Sequence, residues 1–327
     1  MSDLPRIFLT RELPPASMKR LRESSQLTMN HEDRSLSKQE LLAGLQGVDG
    51  LLCQLTDIID DEVLASNPNL KVVSNYAVGF NNVDVAAATK RKIAVTNTPG
   101  VLSDSTADMA WALMFAVARR VVEADRFVRG GHWQGWAPLQ YLGLDISGST
   151  LGLVGLGRIG RAMIERAKGF DMKVLYWNRT RMGTDEEREL GVEYVELDEL
   201  LAQSDFVSLH VALTEATKHL IDERRLGQMK PTAYLINTAR GPVVDEKALL
   251  RALQTNAIAG AGLDVFENEP EIEAGLFELD NAVLAPHLGS ATIATRTKMG
   301  ELAVENCLAG CTGKRPANLV NPDYDRD

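Results

Sequence analysis

Cysteine is scarce in this chain: Cys53, Cys307 and Cys311 are the only three among 327 residues. They form no C-x-x-C pair and no cluster with metal-ligand spacing, which argues against a disulfide-stapled secreted fold and against a bound metal, and fits a reducing compartment. Cys307 and Cys311 are one helical turn apart, as two small buried apolar residues would be. Positive charge is also in deficit, with 35 Lys and Arg against 45 Asp and Glu and a net charge of −10. That balance speaks against a nucleic-acid or anionic-membrane surface, a local basic cleft aside. Long hydrophobic runs are missing too. The most apolar stretch, 109–118, is far too short to cross a bilayer and suits a buried helix. Residues 1–6 hold no signal-peptide hydrophobic region, so the expectation is a soluble, cytoplasmic protein.

What is present is an ordinary globular composition, 45% apolar and 24% charged. The length suits about two domains, each with its own core. Strand and helix patterns alternate up to Pro99: strands at 6–10, 26–30, 48–55, 70–76 and 93–96, with helices at 14–23, 37–45, 60–66 and 83–92 between them. Repeated β-α-β order predicts an open parallel sheet covered on both faces. The turn Asn97-Thr98-Pro99-Gly100 is a crossing point, and a single helix capped by Ser103 is predicted from there to about Arg129. Further strands at 206–210, 233–237, 259–265 and 283–285 predict a second α/β domain, and a last helix is expected over 290–308.

Residues 151–180 organise that second domain. An apolar strand, Leu151-Gly152-Leu153-Val154, runs into Gly155-Leu156-Gly157-Arg158-Ile159-Gly160, then a helix, then a second strand over 173–177. In this context G-x-G-x-x-G reads as a dinucleotide site. Gly155 allows the tight turn, Gly157 the approach of a pyrophosphate, and Gly160 close helix packing, with free N–H groups at the helix start. A carboxylate that would bind the ribose 2′-hydroxyl is expected after the second strand, yet Asn178-Arg179-Thr180-Arg181 stands there, with no carboxylate until Asp185. A guanidinium grips a 2′-phosphate, so NADP(H) is expected over NAD(H). Two solvated loop arginines would read the same way.

A nicotinamide enzyme acting on a ketone needs a proton donor and a cation near the carbonyl. Of five histidines, His287 lies directly after a strand, in Ala285-Pro286-His287-Leu288-Gly289-Ser290. Arg240 follows another strand end in Asn237-Thr238-Ala239-Arg240-Gly241, and Glu269 follows a third, after Asp264-Val265-Phe266-Glu267-Asn268. Three neighbouring strand ends could bring these groups into one crevice. Taken singly, a capping histidine and surface charges account for them equally well, and spacing alone does not bring them together.

Five ordered stretches resemble the D-isomer-specific 2-hydroxyacid dehydrogenase family: Ala77-Val78-Gly79-Phe80, the glycine turn, Asn237 through Glu246, Gly262 through Glu267, and Pro286 through Thr292. The Asn178-Arg179-Thr180 turn, the Trp133 and Trp136 pair and the Asn318-Leu319-Val320-Asn321-Pro322 ending are most similar to its glyoxylate/hydroxypyruvate reductases. The resemblance implies a Rossmann dinucleotide-binding domain at 100–289 inserted in a flavodoxin-like, discontinuous substrate-binding domain at 1–99 and 290–327. It implies that His287 protonates the keto oxygen, that Glu269 pairs with His287, and that Arg240 holds the substrate. Backbone N–H groups of Val78 and Gly79 would bind the carboxylate, with Leu55 lining the site, so that substrate sits between the domains. Trp136 would reach the substrate of a neighbouring subunit, implying a homodimer. Cofactor contacts would come from Thr106, Gly155, Gly157, Arg158, Ile159, Gly160, Asn178, Arg179, Thr180, His210, Thr238, Ala239, Arg240, Asp264, His287 and Gly289, with Asp264 facing the nicotinamide carboxamide.

Two departures stand out: Asn81 where many members have Asp, and Ala212 where proline is usual, which loosens that loop. The function implied is NADP(H)-dependent reduction of glyoxylate and hydroxypyruvate, with NAD(H) as an alternative coenzyme. A 2-ketogluconate or broader 2-keto acid reductase is the alternative within enzymes. An NAD(H)-sensing corepressor and a formate or phosphite oxidiser on the same scaffold are weaker readings.

Overall fold

The computed structural model describes residues 4–325. The chain divides into two compact units, Met1–Leu102 with Ala291–Asp327, and Ser103–Ser290. The expected boundaries, 99/100 and 289/290, differ from these by three residues and one.

In the first unit five parallel strands, β1 (Arg6–Leu9), β2 (Gln26–Met29), β3 (Gly50–Cys53), β4 (Val72–Asn75) and β5 (Ala94–Thr96), lie in the order β2-β1-β3-β4-β5. Parallel neighbours require crossovers, and four helices supply them: α1 (Pro15–Ser24), α2 (Lys38–Gly44), α3 (Asp61–Ala65) and α4 (Val85–Lys90). Their starts are set by local chemistry. Pro15 stands at the first turn of α1, and Ser37 forms a capping box with Glu40. Asp60 and Asp84 accept from the backbone N–H groups of Val63 and Ala87. The chain returns through the C-terminal helix Ile293–Cys311, capped by Thr292. This helix lies close on the sheet because glycine stands at the contacts: a Cβ on Gly50 would be 2.5 Å from Cys311 Sγ, and one on Gly310 would be 2.6 Å from Val72 Cβ. Beyond it, the Asn321 side chain accepts from Val95 N at 2.7 Å and continues the edge of β5.

The second unit opens with α5 (Ser103–Ala118) and α6 (Val121–Arg129). The single helix expected over 103–129 is therefore two. The break falls at Arg120, which is left-handed at φ +53, and the Ala118 carbonyl accepts from Leu144 N at 3.0 Å. The Arg120 guanidinium binds Glu123 and lies over the Tyr141 ring, so side chains hold the bend. A parallel sheet follows, built from β6 (Thr150–Val154), β7 (Lys173–Trp177), β8 (Glu193–Tyr194), β9 (Phe206–Leu209), β10 (Tyr234–Asn237), β11 (Gly260–Leu263) and β12 (Ala282–Leu284). Its order is β12-β11-β10-β9-β6-β7-β8. The order reverses between β6 and β9, and such a switch opens a crevice at the carboxyl ends of the strands. Buried side chains on either face, such as Leu235 and Val207 on one and Trp111 and Met163 on the other, form two cores around the sheet. Both units are α/β with parallel sheets, the second a Rossmann arrangement.

Candidate active site

The glycine turn leaves β6 and enters α7 (Arg158–Ala167). Gly155 is left-handed at φ +98, and a Cβ there would stand 2.8 Å from the backbone of His210 and Val211, so both the turn and the packing demand glycine. A Cβ on Gly160 would meet the Gly155 carbonyl at 2.6 Å. Gly157 differs, since nothing lies within 4 Å of a Cβ built on it. The space over this turn is open, and the α7 N-terminus begins there, with Arg158 exposed and Ile159 half-buried. Turn and second strand are tied together by Leu156 N donating to Asn178 Oδ1 at 2.7 Å.

The turn is one wall of a cavity of about 930 Å³ that Asn178, Arg179, Thr180 and His210 also line. The two arginines after β7, Arg179 and Arg181, part company. Arg181 is spent on Glu187, with contacts of 2.7 and 2.8 Å, and stacks over Tyr194. Tyr176 donates to the same carboxylate, and the Arg181 and Tyr176 bonds hold Glu187 down to about 2. Arg179 is exposed and makes no hydrogen bond or ion pair among the described residues. Further along the sheet, His210 is half-buried with Nε2 2.9 Å from Ser208 Oγ, while its Nδ1 atom is buried with no partner among the described residues. Burial brings its pKa down to about 4, so the ring is neutral at ordinary pH. Thr238 Oγ1 is likewise buried and unpaired. Orphaned polar atoms at two strand ends, beside open space over a glycine turn, are what a bound dinucleotide would satisfy, so these residues fit that group.

Three further groups stand at adjacent strand ends. After β10, Asn237 clasps the turn that carries Arg240: its Oδ1 accepts from Ala239 N and its Nδ2 donates to the Arg240 carbonyl, both at 3.0 Å. The Arg240 guanidinium donates to the Ala239 carbonyl at 2.7 Å. Burial pulls its pKa below the usual arginine value, and the nearby Glu269 charge opposes that shift. After β12, His287 Nδ1 donates to Glu269 Oε2 at 2.8 Å, while Phe266 N donates to Oε1 at 3.1 Å. Burial works against the Glu269 carboxylate, but the His287 bond, the Phe266 N–H and Arg240 prevail and lower its pKa. With Nδ1 committed, Nε2 is the nitrogen left for a substrate.

His287 is itself left-handed at φ +56. Asp264, at the end of β11, holds that turn: its carbonyl accepts from His287 N, and its two carboxylate oxygens accept from Leu288 N at 2.6 Å and Gly289 N at 2.7 Å. Burial raises the Asp264 pKa against the pull of those two N–H groups. Thr106, buried on α5, lies against Gly289. Leu55 follows β3, and Val78 and Gly79 follow β4, all half-buried in the first unit. Trp136 lies in the segment after α6 and is 85% exposed.

Comparison with known proteins decides the family. The model of the family described as D-isomer specific 2-hydroxyacid dehydrogenase, NAD binding domain, matches residues 111–289. The chain belongs to the D-isomer-specific 2-hydroxyacid dehydrogenases. Like other members of this family it is an oxidoreductase that uses a nicotinamide dinucleotide. It is 51% identical to a glyoxylate reductase of Thermococcus litoralis over 323 residues, which are 98% of this chain and 97% of that one. Among solved structures, a Thermus thermophilus protein is 46% identical with a TM-score of 0.90, covering 96% of this chain and 99% of its own. An NADPH-dependent glyoxylate/hydroxypyruvate reductase of Sinorhizobium meliloti, solved with NADP and malonate, is 34% identical with a TM-score of 0.86, covering 99% and 98%.

What the sequence motifs do not reveal is which of their residues hold others in place. Asn237 and Gly241 are two: a Cβ on Gly241 would fall 1.8 Å from the Phe266 carbonyl. A third is Glu246, whose carboxylate accepts from Glu267 N and Glu273 N beneath the loop that carries Glu269. All three lie in the run Asn237 through Glu246, one of the stretches that carry the family resemblance.

Proposed function

We propose that this protein is an NADPH-dependent reductase of glyoxylate and hydroxypyruvate, giving glycolate and D-glycerate. The observation that carries the reading is the His287 Nδ1 to Glu269 Oε2 bond of 2.8 Å in the same unit as the half-buried Arg240 and the glycine turn. When bound, the coenzyme supplies the hydride. The chain does the rest. Protonated His287 presents Nε2–H to the keto oxygen and gives up its proton as negative charge develops there. Glu269, bonded to Nδ1, keeps the ring oriented. Arg240 pairs with the substrate carboxylate and polarises the carbonyl, and a low-dielectric position strengthens both effects. Val78 and Gly79 offer backbone N–H groups to the carboxylate, beside Leu55.

On the coenzyme side, Gly155, Gly157 and Gly160 with Arg158 and Ile159 take the pyrophosphate. Asn178, Arg179 and Thr180 take the adenosine end, and Thr106, His210, Thr238, Ala239, Asp264 and Gly289 the nicotinamide end. Arg179, which has no partner among the described residues, grips the 2′-phosphate, which favours NADP(H). The exposed Trp133, Trp136, Leu139 and Leu142 support a homodimer in which Trp136 reaches the neighbouring subunit's substrate. The small keto acid named for the Sinorhizobium meliloti and Thermococcus litoralis relatives supports the same substrate class.

The test is nicotinamide absorbance, crossing NADPH and NADH with glyoxylate, hydroxypyruvate, pyruvate and 2-ketogluconate, beside a His287→Ala control. Fast NADPH oxidation on the first two acids, lost in the control, is the expected result. Preference for 2-ketogluconate would move the substrate and keep the chemistry. Coenzyme binding with no turnover on any acid would reject the enzyme and favour a nucleotide-sensing protein.

A further inference from the structure

Three consecutive carbonyls after β4 are all tied down from the ends of β4 and β5. The Ala77 carbonyl accepts from Thr98 N at 2.9 Å, the Val78 carbonyl from Asn97 Nδ2 at 2.8 Å, and the Gly79 carbonyl from Asn75 Nδ2 at 2.8 Å. A trans peptide sets its N–H antiparallel to its own carbonyl. Anchoring these carbonyls therefore turns the N–H groups of Val78, Gly79 and Phe80 away from Thr98, Asn97 and Asn75 in turn. None of these three N–H groups makes a hydrogen bond among the described residues. Val78 and Gly79 are half-buried and Phe80 is exposed.

The anchors are themselves held. Asn75 is fully buried at the end of β4, and its Nδ2 also donates to Asn82 Oδ1 at 3.2 Å. Asn97 is fixed through its backbone, with its N–H on the Asn318 carbonyl at 3.2 Å and its carbonyl accepting from Asn306 Nδ2 at 3.3 Å. A row of unpaired backbone donors, braced from behind by two side-chain amides, is a rigid receptor for a carboxylate, because the cost of orienting the dipoles is met in folding rather than in binding.

We propose that Asn97 and Asn75 are positioning residues for substrate recognition, holding three donors, the N–H groups of Val78, Gly79 and Phe80, toward the carboxylate of the 2-keto acid. This rests on the reductase reading above and adds to it a third donor and two residues that set the donors' direction.

The test compares glyoxylate with its neutral methyl ester in wild type, Asn97→Asp and Asn97→Ala. Asn97→Asp keeps the shape of the side chain but cannot donate to the Val78 carbonyl, so the peptide loses its anchor. The expected result is a fall of at least tenfold in the acid-to-ester ratio of kcat/KM, carried by KM for the acid, with the dissociation constant of NADPH unchanged. An equal loss on acid and ester would show a merely structural role and overturn the proposal. Should both variants misfold, wild-type amide resonances titrated with oxamate decide the matter. Val78, Gly79 and Phe80 should all shift, whereas a stationary Phe80 removes the third donor and three stationary amides reject the receptor. A wild-type enzyme that binds NADPH but turns over neither glyoxylate nor its ester would reject the reductase reading instead. The oxamate titration would then still decide the receptor on its own.

Discussion

His287 sits where the backbone resists it. A left-handed φ of +56 disfavours a non-glycine residue, and the strain is held by Asp264, which binds the N–H groups of Leu288 and Gly289 next along the chain. This makes two roles separable by mutation. His287→Ala should lower kcat by about 10²- to 10⁴-fold, the usual range for a lost general acid, with coenzyme affinity retained. Stopped-flow reduction and a fluorescence titration with NADPH would show the split. Asp264→Ala should lower kcat as well, but with a lower Tm, because the buried Gly289 N–H and the part-buried Leu288 N–H lose their acceptor, at about 1–3 kcal/mol for the buried one. The Glu269 linkage adds a pH signature. Its folded pKa is depressed, so its contribution to stability is full above the ordinary glutamate range and disappears as pH falls through the lowered folded value. Glu269→Gln should therefore flatten the acid limb of a Tm-against-pH curve, and an unchanged limb would show that the pair does not contribute.

At the scale of elements, two glycines separate folding from binding. Gly157 has an ordinary φ of −84 and open space where a Cβ would go, so Gly157→Ala should leave the Tm within a degree or two while weakening coenzyme binding tenfold or more. Gly241 is the opposite case. A Cβ 1.8 Å from the Phe266 carbonyl forces backbone apart, and Gly241→Ala should cost about 3 kcal/mol or more of stability in urea unfolding. Both glycines stand in motifs visible along the chain, yet the motif does not say which one faces ligand and which faces protein. The same limit applies to the helix expected over 103–129. Its apolar periodicity is continuous, but Leu144 N takes the Ala118 carbonyl, and that competing bond comes from a residue outside the helix.

For the whole molecule, the exposed apolar side chains of 133–142 carry the proposal of a homodimer. Trp136, Leu139 and Leu142 are 85%, 80% and 62% exposed. Sedimentation velocity should give a dimer at micromolar concentration, and Trp136→Ala with Leu139→Ser should shift it toward monomer. If Trp136 reaches the neighbouring substrate, Trp136→Ala alone should raise KM for the keto acid even where the dimer persists. A monomer in wild type would remove that role.

The amino-acid sequence by itself determined the features whose cause is local or periodic. The β-α-β alternation, the caps at Ser37 and Asp245, the glycine turn after β6 and the residue types at the strand ends follow from near neighbours and from the spacing of apolar side chains. Tertiary structure alone decided which of those residues meet. Glu269 reaches His287 across 18 positions, Arg181 is withdrawn onto Glu187, and both Asp264 carboxylate oxygens go to backbone N–H groups of the His287 turn. Asn97, after β5, reaches back 19 positions to turn the Val78 peptide, beside a local bond from Asn75 at the end of β4 to the Gly79 carbonyl. A motif is short-range because backbone dihedrals and capping bonds are settled within one turn of chain. A hydrogen-bond partner is chosen after packing has brought distant strand ends together, and that choice is where the chemistry of this site was made.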